Sequence, residues 1–381
     1  MELSIIVAGD FAPKAMLSKK IEERRFSELF TGEIREVIKS ADFSFVNFES
    51  PVVEDGYKPI LKCGPNLRCT PEAAEAVRYA GFTGVTMANN HILDFGAEGL
   101  RRSVECCQEQ GLDVVGVGEN LHGAEKVLYL EKDGRKLAII NCCEHEFSIA
   151  TESEAGANPL NPIRQYYAIQ EAKKQADYVL VIVHGGHEHF QLPSPRMQET
   201  YRFFIDAGAD AVVNHHQHCY SGYEIYNGKP IFYGLGNFCF DWLGNNTKTW
   251  HEGYMVNLIF EDTNVSFELH PYTQCLHQPG VFFMHDKEKK DFEDCIKKIN
   301  EVIKDNLKLN DQIKSFYQKT QFDYRASLEP YSGRVLTGLL WRNLLPSLLT
   351  RRRCLKLINY IECESHYERM LYYLKSKIFK Q

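Results

Sequence analysis

The chain has 381 residues, 44% hydrophobic and 25% charged, the composition of a soluble globular protein long enough to bury a core without staples. Its 44 basic and 51 acidic side chains leave a net charge of −7, which excludes an overall basic field of the kind that binds nucleic acid. At roughly 100–200 residues per domain, this length predicts two domains, or one large domain with an appendage.

The chain opens on "MELSIIVAGD", a short apolar run with Glu2 ahead of it and no basic segment, which predicts a strand and not a signal peptide. No apolar run approaches about 18 residues, so no transmembrane helix is expected. The expected location is the cytoplasm, with the inner membrane face as a peripheral site. Twelve cysteines, two pairs of them adjacent (Cys106-Cys107 and Cys142-Cys143) and none spaced CxxC, read as reduced, mostly buried thiols.

Along the chain, apolar runs of strand length recur: "LSIIVAG", "FSFVNFE", "FTGVTMA", "LDVVGVG", "KLAIINC", "DYVLVIVHG", "ADAVVNHH" and "KPIFYGLGN". Continuous runs of this kind suit strands covered on both faces. Helical patterns lie between several of them. "PEAAEAVRYAG" starts on Pro71 and stops at Gly81, "AEGLRRSVECCQEQG" stops at Gly111, and "SPRMQETYRFFIDAG" runs from Ser194-Pro195 to Gly208. Strands alternating with helices predict an α/β domain. Residues 253–272 alternate about a polar turn near Asp262-Thr263-Asn264, which predicts a β-hairpin closing that domain. The expected division is an α/β domain over 1–275 and a helical extension over 276–381. From Arg342 onward the extension carries nine basic and three acidic residues among leucines and aromatics. That segment reads either as a helix lying on an anionic membrane or as a helical cap on the domain.

Polar residues gather where the strands end, the place where α/β sheets bind ligands. Asp10 closes the first strand. Asn47 and Glu49 are two apart, so on a strand they share a face while Val46 and Phe48 take the other. "MANNHILDFG" brings Asn89, Asn90, His91 and Asp94. "VIVHGGHEHF" brings His184, His187 and Glu188, and "NHHQH" brings His215, His216 and His218. Six of the 14 histidines fall within 184–189 and 215–218. Asp, Glu, Asn and His together suit a borderline-to-hard divalent ion such as Mn²⁺, Fe²⁺ or Zn²⁺. Many ligands from separate strand ends suit two such ions about 3.5–4 Å apart.

The ordered stretches "GD" at Asp10, "FVNFESPV", "ANNHILDFGAEGL", "VIVHGGHEH" and "GADAVVNHHQH…GKPIFYGLGNFCFD" resemble those of the CapA family, the capsule and poly-γ-glutamate synthesis proteins with a metallophosphoesterase-like (calcineurin-like) fold. The resemblance covers residues 3–272, about 70% of the chain. It implies a four-layer αββα sandwich followed by a mainly helical C-terminal extension. It makes Asp10, Glu49, Asn90, His184, His216 and His218 metal ligands, with Glu49 bridging and His216 and His218 serving one ion each. His215, out of phase with them, faces away. His91 becomes the proton donor to the leaving group, grouped with Asp94 as catalytic. Asn47, Asn89, His187, Glu188 and Asn237 line the site or support its ligands. The chain departs from the pattern at Ala12, where metallophosphoesterases have the histidine of Asp-x-His, at Gly185 in place of a tryptophan, and in "NHHQH" for "GHHPH".

The function the resemblance implies is a metal-dependent hydrolase with one or two divalent ions, of the phosphoesterase or phosphodiesterase type, acting in biosynthesis of a bacterial capsule, exopolysaccharide or poly-γ-glutamate. Two alternatives stand beside it: a non-catalytic metal-binding component of a polymer synthesis or export complex, and a hydrolase of amide or glycosidic bonds in the polymer. The expected partners are a surface-polymer precursor or polymer, capsule-synthesis proteins, and a membrane face touched by the C-terminal tail; nucleic acid is not expected.

Overall fold

A computed structural model describes residues 2–242, 247–262, 264–331 and 333–378. The chain begins β1 (Leu3–Phe11), α1 (Ala15–Glu22), a 3-10 turn (Phe26–Glu28), α2 (Gly32–Ser40), β2 (Phe43–Phe48), α3 (Glu72–Ala80), β3 (Gly84–Thr86), α4 (Gly96–Glu109), β4 (Asp113–Val115), β5 (Val117–Gly118) and α5 (Leu121–Ala124). It continues β6 (Leu128–Lys132), β7 (Arg135–Cys143), β8 (Gly156–Ala157), α6 (Pro162–Gln175), β9 (Tyr178–His184), α7 (Pro195–Asp206), β10 (Ala211–His215), β11 (Tyr223–Tyr226), β12 (Lys229–Phe232), β13 (Asn237–Cys239) and α8 (Lys248–His251). The last part holds β14 (Glu252–Glu261), β15 (Asn264–Gln274), β16 (Val281–Phe283) and the helices α9 (Asp286–Lys304), α10 (Asn306–Leu328), α11 (Arg334–Trp341), α12 (Arg351–Glu362) and α13 (Glu364–Ile378).

Two mixed sheets form. One runs β16-β15-β14-β1-β2-β3-β4, with β13 also paired to β1; the other runs β11-β12-β10-β9-β7-β6. The neighbours of β1 and β9 at the centre of each sheet are parallel, apart from β14 beside β1. Alternation along β1 sets the layers. Leu3, Ile5 and Val7 point between the sheets, where they meet Leu137, Ile139, Leu180, Ile182 and Val213. Ile6 and Ala8 point the other way, into a core shared with Leu17, Ile21, Ile34, Val77 and Leu100 of α1 to α4. α6 and α7 cover the outer face of the second sheet. Helix, sheet, sheet, helix is the four-layer αββα sandwich that the family resemblance implied, and helices follow it toward the C-terminus.

Local signals account for the helix limits. Pro71 precedes α3 and Gly81 closes it at φ 111°; the Ser194 hydroxyl accepts the Met197 N–H at 3.1 Å to open α7, whose first residue is Pro195. The hairpin is present as β14 and β15, although Thr263 in its turn lies outside the described residues. Two expected strands divide. "LDVVGVG" becomes β4 and β5 around Gly116 at φ 96°, and "KPIFYGLGN" becomes β12 and β13 around Gly236 at φ 81°. The second break moves the chain from one sheet to the other. The compact first unit, Met1–Asn310, takes in β16 and α9, which sequence alone placed in the extension beyond residue 275; Asp311–Gln381 is a helical unit. α9 belongs to the first unit because Phe292 packs on Tyr220 and Tyr254, and the Asn300 amide oxygen accepts the Tyr223 N–H at 2.7 Å. No described helix is long and apolar enough to cross a membrane.

Candidate metal centre

The C-terminal ends of β1, β2, β9 and β10 converge, and each delivers a polar side chain at the point where its apolar run stops. Asp10 is held by backbone pairing to β13, its N–H donating to the Gly236 carbonyl at 3.1 Å. Gly9 permits that approach: a Cβ there would lie 1.9 Å from the Gly236 oxygen. Glu49 follows β2 directly, and its N–H donates to the Phe11 carbonyl at 3.0 Å. Asn47 lies on the site-facing side of β2, while Val46 and Phe48 join the helix-side core.

Asp10, Glu49 and His218 form one focus, with one ligand atom from each lying within 4.8 Å of the others. A second focus surrounds His184, whose Nε2 lies 3.0 Å from Asn90 Oδ1 and 3.1 Å from His216 Nδ1. Glu49 stands between the two. Its Oε1 is 3.7 Å from His218 Nε2 and 3.8 Å from His184 Nε2. Both Glu49 oxygens are buried without a hydrogen-bond partner. A buried carboxylate that accepts no hydrogen bond is expensive even with imidazoles nearby. Crowded acceptors of this kind, acid, imidazole and amide, are what a divalent cation satisfies, so the donor set fits such an ion.

The crowding also shows in the electrostatics of the ion-free site. Burial, then the Asp10 charge, push the Glu49 pKa well above the usual carboxylate range. Burial acts the same way on Asp10, but the His218 bond and the His215 and His184 charges outweigh it and hold its carboxyl low. Burial opposes the charged His218 ring, yet Glu49 and Asp10 push its pKa up to about 10. Burial and His216 hold His184 well below the ordinary histidine value, leaving a neutral imidazole of the form a metal takes.

Supporting residues orient these groups. Asn47 Nδ2 donates to Asp10 Oδ1 at 2.8 Å and lies 3.2 Å from His184 Nδ1. Asn237 Oδ1 meets His218 Nδ1 at 3.0 Å, which turns Nε2 of that ring toward Glu49. Asn89 Oδ1 accepts the His91 N–H at 3.1 Å. His91 Nδ1 sits 2.6 Å from Asp94 Oδ2; burial holds its pKa below the ordinary value despite that carboxylate. His187 is half-buried, and Glu188, 50% exposed, stands at the rim. Ala12 lies against Leu67, Phe240 and Trp250, an apolar wall where the expected pattern has a histidine.

His215 does face away, its Nε2 bonded to the Ala8 carbonyl at 2.9 Å. The reason expected for its neighbours does not apply. β10 stops at His215, and His216 and His218 lie beyond it at φ 93° and 52°, so a left-handed turn and not strand alternation aims them inward. Two contributors carried no signal in the sequence. Lys62, with a side chain 2% exposed, pairs with Asp94 and reaches His91 Nδ1 at 3.1 Å from an irregular loop. Glu146 Oε2 accepts from Asn90 Nδ2 at 2.8 Å, which sets the amide so that Oδ1 faces His184.

The family model described as "Bacterial capsule synthesis protein PGA_cap" matches residues 4–242, the span that holds every residue of both foci. The capsule biosynthesis protein CapA of Bacillus anthracis is 34% identical over 255 residues, 65% of this chain and 62% of that protein. The PGA biosynthesis protein CapA of Bacillus subtilis (strain 168) is 33% identical over 243 residues, 63% of each. The chain thus spans less than two thirds of the length of these two relatives. Among solved structures, a putative 5'-nucleotidase from Staphylococcus aureus in complex with alpha-ketoglutarate aligns at 14% identity and TM-score 0.46, over 78% of this chain and 58% of that one.

Proposed function

The chain belongs to the bacterial capsule synthesis protein family PGA_cap, and from that premise we propose that it is a divalent-metal-dependent hydrolase of phosphate esters or diesters acting in the synthesis of a surface polymer. The observation that carries this reading is Glu49, a buried carboxylate with both oxygens unpartnered between two clusters of metal-ligand atoms. Asp10, Glu49 and His218 would hold one ion, and His184, His216, Asn90 and Glu49 a second. The chemistry such an ion would supply when bound is a water of lowered pKa and withdrawal of charge from a phosphoryl group.

The chain's own residues supply the rest. Asp94 and Lys62 occupy His91 Nδ1, so Nε2 is the atom that delivers a proton to the departing oxygen. The Asn89 bond to the His91 N–H fixes the loop that carries this ring. Glu146 and Asn237 hold Asn90 and His218 in their rotamers, which pre-organises the acceptor set.

The test is metal analysis followed by turnover on a panel of phosphate monoesters and diesters, using full-length protein reloaded with Mn²⁺, Fe²⁺ or Zn²⁺. His91→Ala is expected to keep its metal content and lose about 10²–10⁴ in kcat. Full metal loading with no turnover on any phosphate ester overturns the reading and leaves the non-catalytic component or the amide or glycosidic hydrolase.

A further inference from the structure

A cleft of about 360 Å³ opens beside the start of α1 and is lined by Lys14, Ala15, Ser18, Arg68, Asp241 and Trp242. We propose that it is a subsite for a second anionic group of the substrate, a carboxylate or phosphate borne on the leaving portion. This rests on the reading above, in which His91 marks the leaving-group side.

The charges of the cleft are arranged for an anion. The Lys14 ammonium lies 3.7 Å from the centre of the Trp242 ring, and the Arg68 side chain is exposed at the mouth. Among the described residues neither cation has a carboxylate within ion-pair distance. Arginines elsewhere on the surface do: Arg24 pairs with Glu75, Arg101 with Glu119, Arg102 with Glu54 and Arg164 with Glu125. The acid in the lining lies close enough for Lys14 to feel its charge but forms an ion pair with neither cation. Asp241 directs its oxygens at backbone, accepting the N–H groups of Lys14 and Met16 at 2.8 Å each and of Leu17 at 3.2 Å. Those bonds cap α1 and occupy the Asp241 oxygens, so the two positive side chains and the indole are the groups of the lining left to meet a ligand. Such a group suits an oxyanion on a flat or apolar stem.

The cleft is tied to the catalytic side of the centre. Leu67, the residue before Arg68, donates its N–H to Asp94 Oδ2 at 2.6 Å, and the same oxygen holds His91 Nδ1 at 2.6 Å. The wall between cleft and centre is Ala12, Leu67, Phe240 and Trp250, and the last two pack on the His218 ring at 5.2 and 5.3 Å. A substrate whose phosphoryl group sits at the metal ligands would reach the positive, aromatic cleft over the rim of this wall, on the side where Leu67, Asp94 and His91 are linked. The preferred substrate carries at least two anionic groups, one at the centre and one on the leaving side.

Calorimetric titration of the metal-loaded full chain with γ-linked triglutamate and, separately, with inorganic phosphate tests this directly. Lys14→Gln/Arg68→Gln is compared with wild type and with a charge-matched control on α9, Lys287→Gln/Lys290→Gln. At least one probe is expected to bind wild type and control alike and the cleft variant about tenfold or more weakly, with affinity falling as salt rises. Loss for triglutamate alone identifies a carboxylate subsite, and loss for phosphate a phosphate subsite. Lys14→Arg/Arg68→Lys is expected to retain binding. A cleft variant that binds both probes as the control does overturns the proposal. In turnover, the cleft variant should raise KM for a ring-carboxylated nitrophenyl phosphate about tenfold more than for the plain ester. Absence of turnover on these and on every ester of the wider panel would sink the hydrolase reading and leave the calorimetric result to decide the cleft.

Discussion

Glu49 concentrates the conflict between stability and function. Its carboxylate is fully buried, has no donor, and faces Asp10, so without a cation it costs the fold free energy that neighbouring packing must offset. Glu49→Gln removes the ionisable carboxyl at nearly constant volume. It is expected to stabilise the chelated protein by about 1–3 kcal/mol while abolishing metal uptake, measured by urea denaturation and by metal analysis. A variant less stable than wild type in chelator would show that Glu49 is held by interactions other than a cation. At this scale the sequence was informative: Asp10, Asn47, Glu49 and His184 stand at the ends of apolar runs, where a polar residue needs a reason. It was uninformative for Lys62 and Glu146, because each lies in a loop without periodicity and has its role only through a partner distant in sequence.

Among elements, β1 and β13 define the floor of the centre. Their pairing brings Asp10 level with Asn237, and it depends on Gly9, since any Cβ at that position meets the Gly236 carbonyl. Gly9→Ala is expected to destabilise by about 3 kcal/mol or more, read from denaturation midpoints, with metal affinity falling in parallel because the Asp10 and His218 supports separate. The strand pattern of β1, β2, β7 and β9 was legible, since β-branched runs covered on both faces have a distinctive composition. α6 and the hairpins β6–β7 and β11–β12 were not picked out, although Asn161-Pro162 caps the helix and Asp133-Gly134 and Asn227-Gly228 turn the hairpins. The change of sheet between β12 and β13 was marked only by Gly234 and Gly236 within "KPIFYGLGN", which allow a break but do not say that the next strand joins the other sheet.

For the whole molecule, the candidate ligands come from both sheets, so an ion bound there would tie the two layers together. Saturating metal, at about 100 times its dissociation constant, is expected to raise the melting temperature by roughly 5 °C over the chelated protein, followed by scanning calorimetry. Glu49→Gln should show no such shift. A chain ending at Asn310, where the first compact unit ends, is expected to fold and to show the same metal-dependent shift; loss of that shift would mean that the C-terminal helices help to build the centre.

The sequence by itself determined the alternation of strands and helices, the burial of one face or two, and a set of polar residues stranded at strand ends. These follow from local rules, since hydrophobic period and turn chemistry act over a few residues. Tertiary structure alone decided which of those residues meet: that Asp241 caps α1 across 227 positions, that Lys62 reaches His91, and that His216 and His218 turn inward through left-handed backbone and not by strand phase. Contacts at such separation depend on how the two sheets pack, and the local pattern of either partner carries no record of the other.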